Sequence, residues 1–186
     1  MSQSGFHYAK CNKCGTYYLS DLSIVTLNDY YDSLDAYETA SPKNKIIDEI
    51  VKVLNITAKE NILDLGCGSG AWSIPLANYS KNITCVDLSF HSLSLLADNL
   101  PLEKKSHIKC FNEDSIDFLS KCNDNSFDIV LSMWNLEHST EPEHLISEVY
   151  RVLKPEGSML VLVPSANSLQ MKLLGGGYYW FQAPWH

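Results

Sequence analysis

The stretch Asn61-Ile62-Leu63-Asp64-Leu65-Gly66-Cys67-Gly68-Ser69-Gly70 decides how the chain is read. Its first half, Asn61 to Leu65, is an apolar run of strand length. Its second half is a glycine-rich turn that opens a helical pattern. Glycine at alternate positions permits a tight turn and lets a ligand approach the backbone. The helix start that follows offers unpaired N–H groups to a carboxylate or phosphate. Taken alone, the turn also fits the dinucleotide pattern G-x-G-x-x-G/A, read as Gly66, Gly68 and Ala71.

Outward from this turn, short apolar runs alternate with helical patterns. Upstream, Ser41-Pro42 starts a helix, with Ile46, Ile47, Ile50, Val51 and Leu54 at helical spacing as far as Asn55. Downstream, helices are expected near Ala71 to Tyr79, Ser89 to Leu100, Ser115 to Leu119 and Pro142 to Val152. Strands are expected at Ile83 to Asp87, Ile108 to Phe111, Phe127 to Met133 and Met159 to Val163. Strands separated by helices imply a parallel sheet with helices on both faces, a Rossmann-like doubly wound α/β fold. The pattern divides the chain into an aromatic, loop-like segment (1–40), an α/β core (41–164), and a helix with an aromatic tail (165–186).

Composition narrows the function classes. The chain has 186 residues with a net charge of −8, and 45% of them are apolar. No apolar run approaches the roughly 20 residues a membrane span requires. No signal peptide is visible, so a cytoplasmic location is expected. Arg151 is the only arginine and the lysines do not cluster, which disfavours a nucleic-acid partner. The six cysteines are read as reduced and mostly buried thiols.

Asp64 stands two residues before the first glycine, at the carboxyl end of its strand. A carboxylate there repels a pyrophosphate. It suits a ligand that carries an ammonium and a sulfonium, which describes S-adenosylmethionine. Gly66, Cys67, Gly68 and Gly70 would form the cradle. Asp87, followed by Leu88, ends the second strand, where an acid accepts from ribose hydroxyls or caps the next helix. Asp114 and Ser115 end the third strand. There the acid meets an adenine amino group or serves as a helix N-cap. Met133 and Trp134, just past the fourth strand, pack near the adenosine or the methyl group, or simply in the core.

At this point the chain resembles the class I S-adenosylmethionine-dependent methyltransferases, in their general and small-molecule family. Asp64 to Gly70 is similar to their glycine-rich first motif. Phe127-Asp128-Ile129-Val130-Leu131-Ser132 is similar to their fourth strand. Leu136-Glu137-His138 and Glu148 to Gly157 are similar to the helix and turn before their fifth strand, with Glu156 where a glycine is usual. The resemblance covers about Ser41 to Val163. It implies methyl transfer to a small-molecule acceptor, such as a sugar or glycan precursor. It also implies a seven-stranded sheet, of which this sequence lacks the last two strands. The fifth strand would then be an open edge, with reduced stability or homodimerisation through that edge or the aromatic tail.

Two further features follow from the resemblance. His138, with Glu137 beside it, is the candidate general base, or else a structural histidine. Cys11 and Cys14, with His7 as a third donor, resemble the second knuckle of a zinc ribbon. A closed zinc site needs four ligands, so a remnant hairpin with free thiols is expected for this chain alone. Tyr30, Tyr31 and Tyr37 would close over a sulfonium through cation–π attraction or simply pack. Gly175 to Gly177 would hinge the tail or link it loosely. Two other functions compete: a nicotinamide-dependent oxidoreductase, which Asp64 disfavours, and a non-catalytic cofactor-binding or structural domain.

Overall fold

The computed structural model describes residues 2–3, 6–13, 15–19, 44–165 and 167–174. Cys14, Tyr30, Tyr31, Tyr37, the three glycines from Gly175 and the tail ending at His186 lie outside the described residues.

The N-terminal segment, read as loop-like apart from a hairpin about Cys11 and Cys14, contains three short strands. β1 (Ser2–Gln3), β2 (Phe6–Lys10) and β3 (Tyr17–Leu19) form a small antiparallel sheet in the order β1-β2-β3. The turn between β2 and β3 is closed by Cys11 N–H donating to Thr16 O at 2.8 Å. These strands hold no β-branched residue, so their composition marks them only weakly.

The core follows the expected alternation. α1 (Asn44–Val53) buries Ile47 and packs Ile50 and Val51 on the sheet. It stops at Asn55, whose φ of 51° is a left-handed C-terminal conformation, and Ile56 N–H turns back to Val51 O at 2.8 Å. β4 (Asn61–Leu65) runs into the glycine turn and α2 (Ser73–Leu76). α2 starts later than the predicted Ala71 because Pro75 has no N–H to give the Ala71 carbonyl, and it ends before the predicted Tyr79. The rest of that stretch continues in turns, such as Tyr79 N–H to Leu76 O at 2.9 Å.

β5 (Asn82–Asp87) leads to α3 (Phe90–Asn99), capped by the Ser89 hydroxyl accepting from Ser92 N–H. A 3-10 turn (Leu102–His107), not foreseen in the sequence, precedes β6 (Ile108–Asn112). α4 (Ser115–Ser120), β7 (Phe127–Met133) and α5 (Pro142–Val152) follow, then β8 (Leu153–Leu162) and α6 (Leu169–Leu174).

The five long strands are parallel, in the order β6-β5-β4-β7-β8. Near-continuous burial along β4 and β7 is what a sheet covered on both faces requires. One core cluster includes Ile47, Ile62, Leu96 and Leu131, on the face of α1 to α3. The other includes Leu63, Leu65, Leu119, Leu145 and Val149, on the face of α4 and α5.

Arg151 fastens α5 to the α4 end. Its guanidinium donates to Glu148, to Asp124 and to the carbonyls of Leu119 and Cys122. β8 starts six residues earlier than read from the sequence, and an irregularity in its pairing with β7 absorbs the expected turn. Glu156 has φ 65° there, which explains why a glycine suits this position. Among the described residues β8 pairs on one side only, with Val161 exposed, and no helix is long and apolar enough to cross a membrane.

Candidate functional site

The strand order reverses direction at β4 and β7, so a crevice forms beyond their carboxyl ends. The glycine turn leaves β4 at this point, and the Trp134 to His138 loop leaves β7 beside it. The two touch. Gly66, at φ 68°, has the Asn135 side chain directly over its Cα. Trp134 has φ 61°, a conformation rare for a large side chain, and its N–H is held by Leu162 O at 2.8 Å. Strain of this kind at a strand end marks a place where the surrounding structure dictates the backbone.

The turn itself is anchored from β5. Gly66 and Cys67 N–H groups both donate to Val86 O, at 2.8 and 3.1 Å. Asp87 Oδ2 accepts from Gly68 N–H at 2.7 Å and Oδ1 from Ser89 N–H at 2.9 Å. Asp87 thus ties the turn to the start of α3, while the helix cap proper is Ser89. Burial raises the Asp87 pKa, against the lowering effect of these two N–H bonds. Gly68, at φ 52°, has open space where a Cβ would stand, whereas a Cβ on Gly70 would meet Leu96 at 2.8 Å. Of the three glycines, Gly68 alone is bare toward an unfilled space.

Asp64 lies beneath the turn with no exposed surface. Its Oδ2 accepts from the Ser73 hydroxyl at 2.5 Å, and its Oδ1 is buried with no partner among the described residues. Burial pushes its pKa up to about 7, although the Ser73 bond pulls it down; the charge of Asp87 adds to the rise. A ligand on the turn therefore feels this carboxylate through the turn.

The other predicted site residues are distributed along the same strand ends. Cys67 is buried, and Met133, at 6% exposure, belongs to the core cluster that Trp134 packs against. Leu88 is half-buried, and its carbonyl accepts from Asn112 Nδ2 at 2.7 Å. Asp114 is exposed and caps α4 through Ile116 and Asp117 N–H; Ser115 is the first residue of that helix. Glu137 and His138 sit half-buried on a 3-10 turn (Leu136–His138). Burial pushes Glu137 up to about 7.

Sequence reasoning missed Ser73, Asn135 and Asn112. The register Asp64 opposite Cys85 places Ser73 over that pair, but only the tertiary fold brings it there. It also overstated thiol burial. Cys67 and Cys85 are buried, Cys110 is exposed, and Cys11 and Cys122 are partly exposed.

The residues 63–161 match the family model described as a methyltransferase domain, more than half of the chain. The chain belongs to this methyltransferase family. The family implies S-adenosylmethionine as the methyl donor, and the residues fit it: an unpartnered buried carboxylate oxygen below a glycine cradle with open space at Gly68. The family chain is 29% identical over 153 residues to phosphoethanolamine N-methyltransferase 2 of Caenorhabditis elegans, covering 74% of this chain and 35% of the relative. It is 29% identical over 173 residues to a glycine/sarcosine/dimethylglycine N-methyltransferase of Actinopolyspora halophila, covering 81% and 30%. It is 28% identical to a demethylmenaquinone methyltransferase of Lactobacillus johnsonii, covering 81% and 62%. The chain thus spans less than two thirds of these relatives.

Among solved structures, the [4+2]-cyclase SpnF superposes with a TM-score of 0.58 at 26% identity, over 63% of this chain and 43% of that one. A SAM-dependent methyltransferase of Archaeoglobus fulgidus shares the fold, with a TM-score of 0.58 at 17% identity over 71% of this chain and 57% of that one. The zinc-ribbon likeness finds no support. The family match begins at residue 63, and no group of three His, Cys, Asp or Glu among the described residues is placed to hold a metal.

Proposed function

We propose that this protein transfers a methyl group from S-adenosylmethionine to a small-molecule acceptor. The observation that carries the reading is the buried, half-satisfied Asp64 carboxylate under the glycine turn. A negative charge there favours a cationic donor and opposes a diphosphate, which counts against nicotinamide chemistry.

When bound, S-adenosylmethionine supplies an already activated methyl on a sulfonium. The chain's own residues then bind and align. Gly66, Cys67, Gly68 and Gly70 let the donor lie on backbone. Asp87, already oriented by the Gly68 and Ser89 N–H groups, keeps lone pairs for ribose hydroxyls, and Leu88, Asp114 and Ser115 border the adenine. Met133 and Trp134 wall the methyl side. Glu137 and His138 hold a proton when the acceptor is a hydroxyl or an acidic C–H.

The named relatives point to amines and quinones as acceptors. These head the acceptor series, with sugar and glycan precursors alongside. The organisation into an N-terminal segment (1–40), a donor-binding core (41–164) and a C-terminal segment (165–186) belongs to the same proposal. Self-association through the open edge of β8 does too, supported by exposed Val161 and checked by sedimentation.

Titration calorimetry with S-adenosylhomocysteine and with NAD tests the donor. Binding of the first alone is expected, and binding of NAD alone overturns the reading. Radiolabelled methyl donor with the acceptor series then tests transfer. The likeness to a cyclase gives a second reading specific support: donor bound without transfer, with the fold hosting another reaction. Tight donor binding with no labelled product across the series would favour it.

A further inference from the structure

Three polar groups, Asp64, Ser73 and Cys85, are joined by hydrogen bonds behind the glycine turn, and the chemistry above uses only one of them. Asp64 on β4, Cys85 on β5 and Cys110 on β6 occupy one row across the sheet, because Asp64 pairs in register with Cys85 and Cys85 with Cys110. Ser73, from the first turn of α2, sits over this row and is itself fully buried. The hydrogen bonds have a direction. The Cys85 thiol donates to Ser73 Oγ at 3.1 Å, and the Ser73 hydroxyl donates to Asp64 Oδ2 at 2.5 Å. A hydroxyl has one proton, so accepting from Cys85 steers that proton toward the carboxylate. A buried serine donating to a carboxyl group in this way favours the ionised form, because a charged oxygen is the stronger acceptor.

We propose that Ser73 is a positioning residue for the methyl donor: its hydroxyl, oriented by Cys85, keeps Asp64 as a carboxylate with Oδ1 left for the donor's positive charge. The inference rests on the functional reading of Asp64 given above. The groups facing Asp64 are few. From β5 they are Cys85 and Asp87, from the turn Cys67, and from α2 Ser73; β7 presents the apolar Leu131 in register. Asp87 and burial both oppose ionisation of Asp64, and Ser73 is the group that favours it. The thiols do not take its place, because the Cys85 proton is given to Ser73 Oγ and the Cys67 thiol faces the Gly68 carbonyl at 3.7 Å. Without Ser73 the balance at neutral pH moves to the protonated acid.

The test has two readouts. The first is the titration of the Asp64 carboxyl carbon, followed by NMR in the free protein. In Ser73→Ala its midpoint moves up by about one pH unit or more, the size expected for loss of a hydrogen bond to a charged group. The second is calorimetry with S-adenosylhomocysteine. Affinity of Ser73→Ala falls about five-fold at pH 7 and returns to within about two-fold of the parent at pH 8.5, where both carboxyls are ionised. Ser73→Thr, which keeps the hydroxyl, restores both. Cys85→Ala moves both in the same direction by less. It serves as the probe if thermal unfolding shows that Ser73→Ala does not fold. An unmoved midpoint in the folded variants overturns the proposal. Asp64→Asn keeps the two ideas apart. If it binds as tightly as the parent at pH 8.5, the functional reading of Asp64 fails. If it loses affinity while the Ser73→Ala midpoint stays unmoved, only the role of Ser73 fails.

Discussion

The Asn135 side chain is stacked on Gly66, and a Cβ at Gly66 would lie 2.4 Å from both Cγ and Oδ1 of that asparagine. The glycine turn and the loop after β7 are therefore one packed unit. Gly66→Ala must overcome both this clash and a left-handed φ. It is expected to destabilise the protein by about 3 kcal/mol in urea unfolding. Adding Asn135→Gly should recover the steric share and leave the backbone cost of about 1 kcal/mol.

Gly68 is the contrasting case. Its φ is also positive, but nothing stands where a Cβ would go. Gly68→Ala should therefore cost only about 1 kcal/mol of stability. The methyl would occupy the space proposed for the donor, so affinity for S-adenosylhomocysteine should fall about ten-fold or more by calorimetry. A variant equally tight to the parent would place the donor elsewhere.

The buried Asp64 makes stability depend on pH. Its folded pKa of about 7 lies above the ordinary 3.8, so the folded state holds the proton more tightly than the unfolded chain does. The stability linked to this group is fully present below about pH 4 and is lost as pH rises through 7. Asp64→Asn removes the titration. The stability of the variant relative to the parent should thus climb between pH 4 and 8, by at most about 4 kcal/mol. Thermal unfolding across that range measures it, and a pH-independent gap would contradict the burial argument.

Glu156 occupies an exposed left-handed position with φ 65° at the irregular start of β8. Glu156→Gly should stabilise the protein by about 1 kcal/mol, because glycine adopts this conformation without steric cost. Gly157 beside it behaves oppositely. A Cβ there would lie 2.9 Å from Lys154 O and 3.0 Å from Asp128 O, so Gly157→Ala should destabilise. The pair gives opposite signs from adjacent residues in the same unfolding assay.

Glu137 is raised to about 7 by burial. If it takes the acceptor proton, kcat with a hydroxyl acceptor should rise with pH through about 7. Glu137→Gln should flatten that rise and lower kcat by about 10²-fold or more. An amine acceptor, already deprotonated when it reacts, should show a much smaller loss in the same variant. A rise that survives in Glu137→Gln and disappears in His138→Ala would move the role to the histidine.

Much of the fold was legible in local patterns. β4 and β7 have the boundaries read from the sequence, as does α5, because their apolar runs and the Pro142 start are local signals. The bounds of the N-terminal strands, the added strand β1 and the full length of β8 were not legible. Their pairing partners lie elsewhere in the chain, and Glu156 hides the turn signal a glycine would have supplied.

By itself, the sequence determined the α/β alternation, the glycine turn and the acid at the end of β4, since each is a property of neighbouring residues. Tertiary structure alone decided that Ser73 meets Asp64, that Asn135 lies on Gly66, and that Asp64 is sealed from solvent. These relations join residues from different strands and helices. The distances and the dielectric that set their strength exist only once the sheet order β6-β5-β4-β7-β8 has brought those elements together.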